Sequence, residues 1–111
     1  MRNISFALTT PLFLAGTKTV TRRLGWKFLK PGDRLMAIEK GQGLKKGEKV
    51  KRLGEIEVQA VSRERLREIG PSDVCWEGFM GSTPAQFIQF FCEANGCKPS
   101  DWVTRIQFKK L

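Results

Sequence analysis

Residues 16–23, Gly16-Thr17-Lys18-Thr19-Val20-Thr21-Arg22-Arg23, crowd a glycine, an amine, hydroxyls and two guanidinium groups into eight positions. Cations and hydroxyls at that density can hold an anion or a polar ligand, and simple packing needs neither. Spacing decides which of them meet. In a regular strand Lys18, Val20 and Arg22 share one face while Thr19, Thr21 and Arg23 share the other. If the chain turns first, Lys18, Thr21 and Arg22 converge on one small pocket. A basic, solvated connection between a helix and a strand is the plain alternative.

The segment before it must position these groups. Thr9 or Thr10 is placed to N-cap a short helix whose first helical residue is Pro11, because proline there lacks only an N–H that would be unpaired anyway. Leu12, Phe13 and Leu14 supply its buried content. Gly16 suits the left-handed residue just past the helix end. Lys18 then follows a helix C-terminus, whose partial negative charge favours the protonated amine.

The rest of the chain reads as alternating strands and short helices. Residues 3–8 alternate polar and apolar, so Ile4, Phe6 and Leu8 are expected to face a core. Trp26 is read first as core and second as a stacking surface beside the arginines. Pro31-Gly32 turns the chain into a strand over residues 33–39. Between Lys40 and Arg52 six basic residues, Lys45 and Lys46 among them, face the single Glu48, punctuated by three glycines. Such a basic loop can lie along a phosphate backbone or simply be solvated. Residues 53–61 alternate most clearly, with Ile56 and Val58 on the core face. Ser72 or Asp73 is expected to cap a short helix through Glu77, ended by Gly78. Glu77 beside Trp76 and Phe79 is in a setting that disfavours a carboxylate if buried and suits a general acid. Ser82 or Thr83 caps a clearer helix, with Pro84 at its first position and Gly96 past its end. Its stripe of Phe87, Ile88, Phe91 and Cys92, widened by Phe90, reads as core. A last strand follows, in which Thr104, Ile106 and Phe108 alternate with Val103, Arg105 and Gln107.

Composition excludes more than it selects. The 111 residues contain no histidine. That removes Ser-His-Asp and Cys-His nucleophile systems and ordinary histidine metal sites, so any acid or base is Lys, Glu, Asp or Cys. Cys75, Cys92 and Cys97 form no CxxC pair and make a poor zinc set; no metal or cofactor is expected. Cys75 and Cys92 read as small buried apolar groups. A Cys92–Cys97 disulfide would require an oxidising compartment, which nothing in the sequence indicates. Gly41-x-Gly43 lacks the third glycine of a dinucleotide fingerprint, and no phosphate-loop pattern occurs. Twenty lysines and arginines against 11 acidic residues give a formal charge of +9, which favours phosphate-bearing partners and would equally draw the chain to an anionic membrane surface. No apolar run approaches a membrane span and no signal-peptide pattern opens the chain, so a cytoplasmic single domain over residues 1–111 is expected.

Gly16-x-Lys18-x-x-Thr21-x-Arg23, with Arg22 beside it, resembles the signature of the ASCH domain, a fold similar to the PUA domain of RNA-modification proteins. Supporting features are the strand and short helix before the motif, Lys30-Pro31-Gly32-Asp33 ahead of a strand, Trp76-Glu77-Gly78-Phe79, and the closing strand through Phe108. Small stand-alone proteins of this layout occur in bacteria and phages. The resemblance implies an α+β fold: a small, partly open β-barrel of five to six strands with two to three helices, binding RNA or a modified nucleoside beside the helix that precedes the motif. Lys18, Arg22, Arg23, Trp26, Lys40, Lys45 and Lys46 are then the expected ligand contacts. As an alternative it implies an amidohydrolase that removes the acetyl group of N4-acetylcytidine, with Lys18 as base, Thr21 as nucleophile and Glu77 as proton donor. Ribonuclease activity, by charge stabilisation alone, ranks third.

Overall fold

The structure, a computed structural model, describes residues 1–41 and 46–111. The elements run β1 (Arg2–Ser5), α1 (Thr10–Leu14), β2 (Val20–Arg23), β3 (Arg34–Ile38), β4 (Arg52–Arg65), a 3-10 turn (Leu66–Glu68), α2 (Pro71–Trp76), α3 (Pro84–Asn95) and β5 (Trp102–Lys110). The strands form one curled half-barrel sheet in the order β1-β3-β4-β5-β2. Only β1 and β3 pair in parallel; the other neighbours are antiparallel. Among the described residues this is an α+β arrangement of five strands and three helices, within the five to six strands and two to three helices expected.

Two apolar clusters flank the sheet. Ile4, Phe6, Phe13, Leu35, Ile56, Val58, Ile106 and Phe108 belong to the first; Leu66, Ile69, Val74, Phe87, Phe91 and Val103 belong to the second. Strand β5 serves both because successive side chains point to opposite faces, Ile106 and Phe108 one way and Val103 the other. Strand β4 continues four residues beyond the expected Val61, to Arg65, paired with β5 as far as Trp102. A bulge between Val58 and Ala60 adds one residue, so that Val58 and Val61 both keep the face of Phe108 and Ile106.

Several local expectations are corrected. Strand β1 stops at Ser5 and the chain turns, with the Thr9 N–H donating to the Phe6 carbonyl. Leu8, two residues past the end of the alternation, is therefore 68% exposed. Thr9 is the N-cap of α1 but its hydroxyl makes no cap bond, while the Thr10 hydroxyl donates to the Phe6 carbonyl. Leu14 and Cys75 are exposed, because a helix of five or six residues buries only one side. In α2 the cap is Gly70, without a side-chain bond, and Asp73 is used elsewhere. The Cys92 and Cys97 thiols are free, 3.8 Å apart. Burial and the neighbouring Cys92 push the Cys97 thiol up to about 11, the opposite of what a thiolate nucleophile needs.

Helix α3 matches its sequence signals. The Gln86 N–H donates to the Thr83 hydroxyl at 3.1 Å, and the Gln86 side chain accepts from the Thr83 N–H at 2.8 Å. Gly96 ends the helix at φ +64. Replacing Thr83 by alanine is expected to lower the unfolding free energy by about 1 kcal/mol in urea titration. An unchanged midpoint would show that the capping box contributes nothing.

Candidate functional site

The loop from α1 to β2 is what carries Lys18. Gly16 adopts φ +77, and the Thr17 and Lys18 N–H groups both donate to the Leu12 carbonyl. The chain turns before the strand begins at Val20, and the Thr19 N–H donates to the Trp76 carbonyl at 2.8 Å. Lys18 and Thr21 therefore line one cleft, as the turning alternative requires.

Glu77 ends α2 and is 1% exposed. Lys18 Nζ donates to its Oε1 at 2.6 Å and to its main-chain carbonyl at 3.1 Å. The negative helix end that the amine meets is therefore that of α2, not that of the helix preceding it in sequence. Burial lowers the Lys18 pKa; Glu77 opposes that through its charge and hydrogen bond, and the charges of Arg23 and Arg22 reinforce it.

Arg22 stands behind this pair. Its guanidinium donates to Glu77 Oε2 at 3.0 Å, to Glu64 Oε1 at 2.8 Å and to Asp73 Oδ2. Burial works against its charge, but the Asp73 hydrogen bond and the fields of Glu77, Glu64 and Asp73 prevail and raise its pKa. Arg105 also holds Asp73, at 2.6 and 3.2 Å. Burial alone would raise the Asp73 pKa; the bonds from Arg105 and Arg22 lower it instead. Three cations (Lys18, Arg22, Arg105) thus meet three carboxylates (Glu64, Asp73, Glu77). Among the described residues nothing partners the buried Arg22 Nε.

In front of the pair lies a cleft of about 220 Å³, lined by Phe6, Leu8, Lys18, Thr21, Arg22, Arg23, Phe79, Phe87, Phe90 and Phe91 among others. Thr21 sits on its wall with its Oγ1 accepting from Arg23 Nε at 3.1 Å, which leaves the hydroxyl proton free to be donated. Burial pulls the Arg23 guanidinium down to about 10, against the field of Glu77, and its charge lies 5.0 Å from the Phe6 ring centroid.

Trp26 and Lys40 lie outside this cleft. They line a neighbouring groove with Asn3, Ile38 and Val50, and Arg23 is common to both. Trp26 packs partly into the first cluster and sits against Phe28 at φ +52. Lys46 is exposed, and Lys45 lies outside the described residues. The sequence reading missed Glu64, Asp73 and Arg105, which no local pattern marks. It assigned Phe90 to the core, whereas Phe90 and Phe79 are only partly buried and form cleft wall. Among the described residues no cluster of His, Cys, Asp and Glu suited to a metal occurs, and no helix is long and apolar enough to cross a membrane.

No family model and no curated protein matches the sequence. Solved structures do match the fold. The ASCH domain from Lactobacillus crispatus superposes with TM-score 0.64 at 17% identity, over 98% of this chain and 79% of that one. A protein of Enterococcus faecalis in the DUF984 family also gives 0.64, at 18% identity, over 88% of this chain and 63% of that one. A point mutant of the Zymomonas mobilis ASCH protein gives 0.60 at 14% identity, over 97% and 68%. The fold is that of ASCH domains, and this chain spans less than two thirds of the Enterococcus protein.

Proposed function

We propose that this chain recognises a modified nucleobase, free as a nucleoside or carried in RNA, in the aromatic cleft in front of Lys18 and Glu77. The observation that carries the reading is a buried Lys18–Glu77 pair beside Thr21, behind a cleft partly walled by Phe79, Phe87 and Phe90. Aromatic walls suit a flat base, and a few convergent polar groups at one end fix its orientation. The Lys18 and Arg22 charges are already met by protein carboxylates, which supports a base-edge or carbonyl contact in the cleft over a phosphate contact. Isothermal titration with N4-acetylcytidine and with a short RNA carrying it tests this. Phe90→Ala is expected to weaken binding about tenfold; no binding of either ligand at millimolar concentration would sink the reading.

One observation favours amide hydrolysis as a second reading. Arg23 bonds the Thr21 oxygen while leaving its proton free, and burial lowers the Lys18 pKa. Thr21 Oγ1 would add to the acetyl carbonyl carbon as its proton passes to a neutral Lys18 Nζ. Collapse of the tetrahedral intermediate breaks the C–N bond, the cytosine nitrogen takes the proton back from Lys18, and water then hydrolyses the acyl-threonine. Glu77 fits poorly as the proton donor assigned from sequence, since each of its oxygens already accepts from a cation. In this scheme it anchors the Lys18 amine.

A further inference from the structure

A second cavity, of about 500 Å³, opens beside α2 and is lined by Gln59, Trp76, Gln107, Lys109 and Lys110, with Val20 and Phe108 also contributing. Its strand residues sit mainly on the sheet face opposite Thr21. Val20 pairs with Gln107, whereas Thr21 pairs with Ile106, one position along, and neighbouring positions point to opposite faces. Lys18 borders both cavities, but its amine is turned to Glu77.

The geometry points to a nucleotide-binding site in this second cavity, with a base on Trp76, its edge on Gln59 and Gln107, and its phosphate on Lys109, which shares the Gln107 face. Trp76 is 49% exposed and its main-chain carbonyl accepts from the Thr19 N–H, so the backbone is fixed at this position and the indole is open to a ligand. Arg105 lies 5.9 Å from its ring centroid. The β4 bulge brings Gln59 and Ala60 together opposite Gln107. Two amides, each with a donor and an acceptor, thus converge beside a small residue that leaves room. Amides of this kind match the edge of a base. Among the described residues three lysines and no acidic side chain line the cavity. Lys109 has only a loose 3.8 Å contact with Glu57 and is half exposed. Lys110 bonds the Phe13 and Leu14 carbonyls at 3.3 Å each, at the negative end of α1. That combination of an open indole, paired amides and an acid-free cationic rim is complementary to a base carrying a phosphate, and the volume is that of a small-ligand site.

The test uses the whole protein with two probes, cytidine 5′-monophosphate and a fluorescein-labelled six-nucleotide single-stranded RNA. Binding is followed by anisotropy and by NMR of the Gln59 and Gln107 side-chain amides. Both amides are expected to shift on saturation. Trp76→Ala should weaken binding about tenfold, and Lys109→Ala should reduce the slope of log affinity against log salt by about 0.7. Stronger binding of the RNA identifies a strand as the source of the nucleotide, equal binding a free nucleotide; both support the site. Acetylcytidine binding in the aromatic cleft is the control and should be unchanged in Gln107→Ala, so the two sites fail separately. Unshifted amides, or unchanged affinity in both Trp76→Ala and the double variant Gln59→Ala with Gln107→Ala, would overturn the proposal.

Discussion

Replacing Arg22 by methionine is expected to lower the unfolding free energy by about 3–5 kcal/mol. Methionine fills much of the same volume, so the loss is electrostatic. Glu77 is 1% exposed and, among the described residues, would keep Lys18 as its one ion-pair partner; Asp73 would keep Arg105. Removing one partner of a buried pair leaves a desolvated charge with no compensation, and here three carboxylates lose the same cation. Glu64 lies at the edge of the network, its side chain 20% exposed, and Glu64→Gln should cost about 1 kcal/mol or less. The contrast, read from urea unfolding, separates a hub from a set of independent pairs; equal effects would mean that no hub exists. The pH dependence follows from Asp73. Its folded pKa lies below the ordinary 3.8, so its contribution is present above the unfolded pKa and disappears as pH falls through the folded one. The difference in stability between the protein and its Asp73→Asn variant should therefore be flat near neutrality and shrink below about pH 4.

What could be read in advance divides by sequence distance. Gly16 past α1, and Thr83, Pro84 and Gly96 around α3, act within a turn of where they stand, and the structure keeps them in those places, while Pro11 falls at the second helical position because the helix begins one residue earlier, at Thr10. The alternation that marks Ile56 and Val58 likewise reflects one strand's two faces. The ionic network had no such signal, because Arg22 meets partners 42, 51 and 55 residues away. Asp73 looked like a capping residue and Glu64 carried no local signal, and only the tertiary contacts of Arg22 give the two a common cation. Phe90 was misread for a related reason. A helix stripe shows which side is apolar but not where the neighbouring elements stop covering it, and here part of that side is left as cleft.

On the hydrolytic reading, Lys18→Ala is expected to reduce acetylcytidine turnover by about 10²–10⁴-fold while nucleoside binding in the cleft is retained. Turnover by the unaltered protein should rise with pH as Lys18 loses its proton, with a midpoint below the ordinary lysine value of 10.5. The direction of each perturbation fixes the signs in the variants. Glu77 raises the Lys18 pKa, so Glu77→Gln should carry the midpoint to lower pH; Arg23 lowers it, so Arg23→Gln should carry it to higher pH. A residue that merely supports the fold would change the amplitude of the profile without moving its midpoint in these opposed directions. If Glu77 were the required proton donor, Glu77→Gln would abolish turnover at every pH. Residual turnover with a displaced midpoint is the result expected of a carboxylate that anchors the amine, and a midpoint that stays put in both variants would remove Lys18 from the base role.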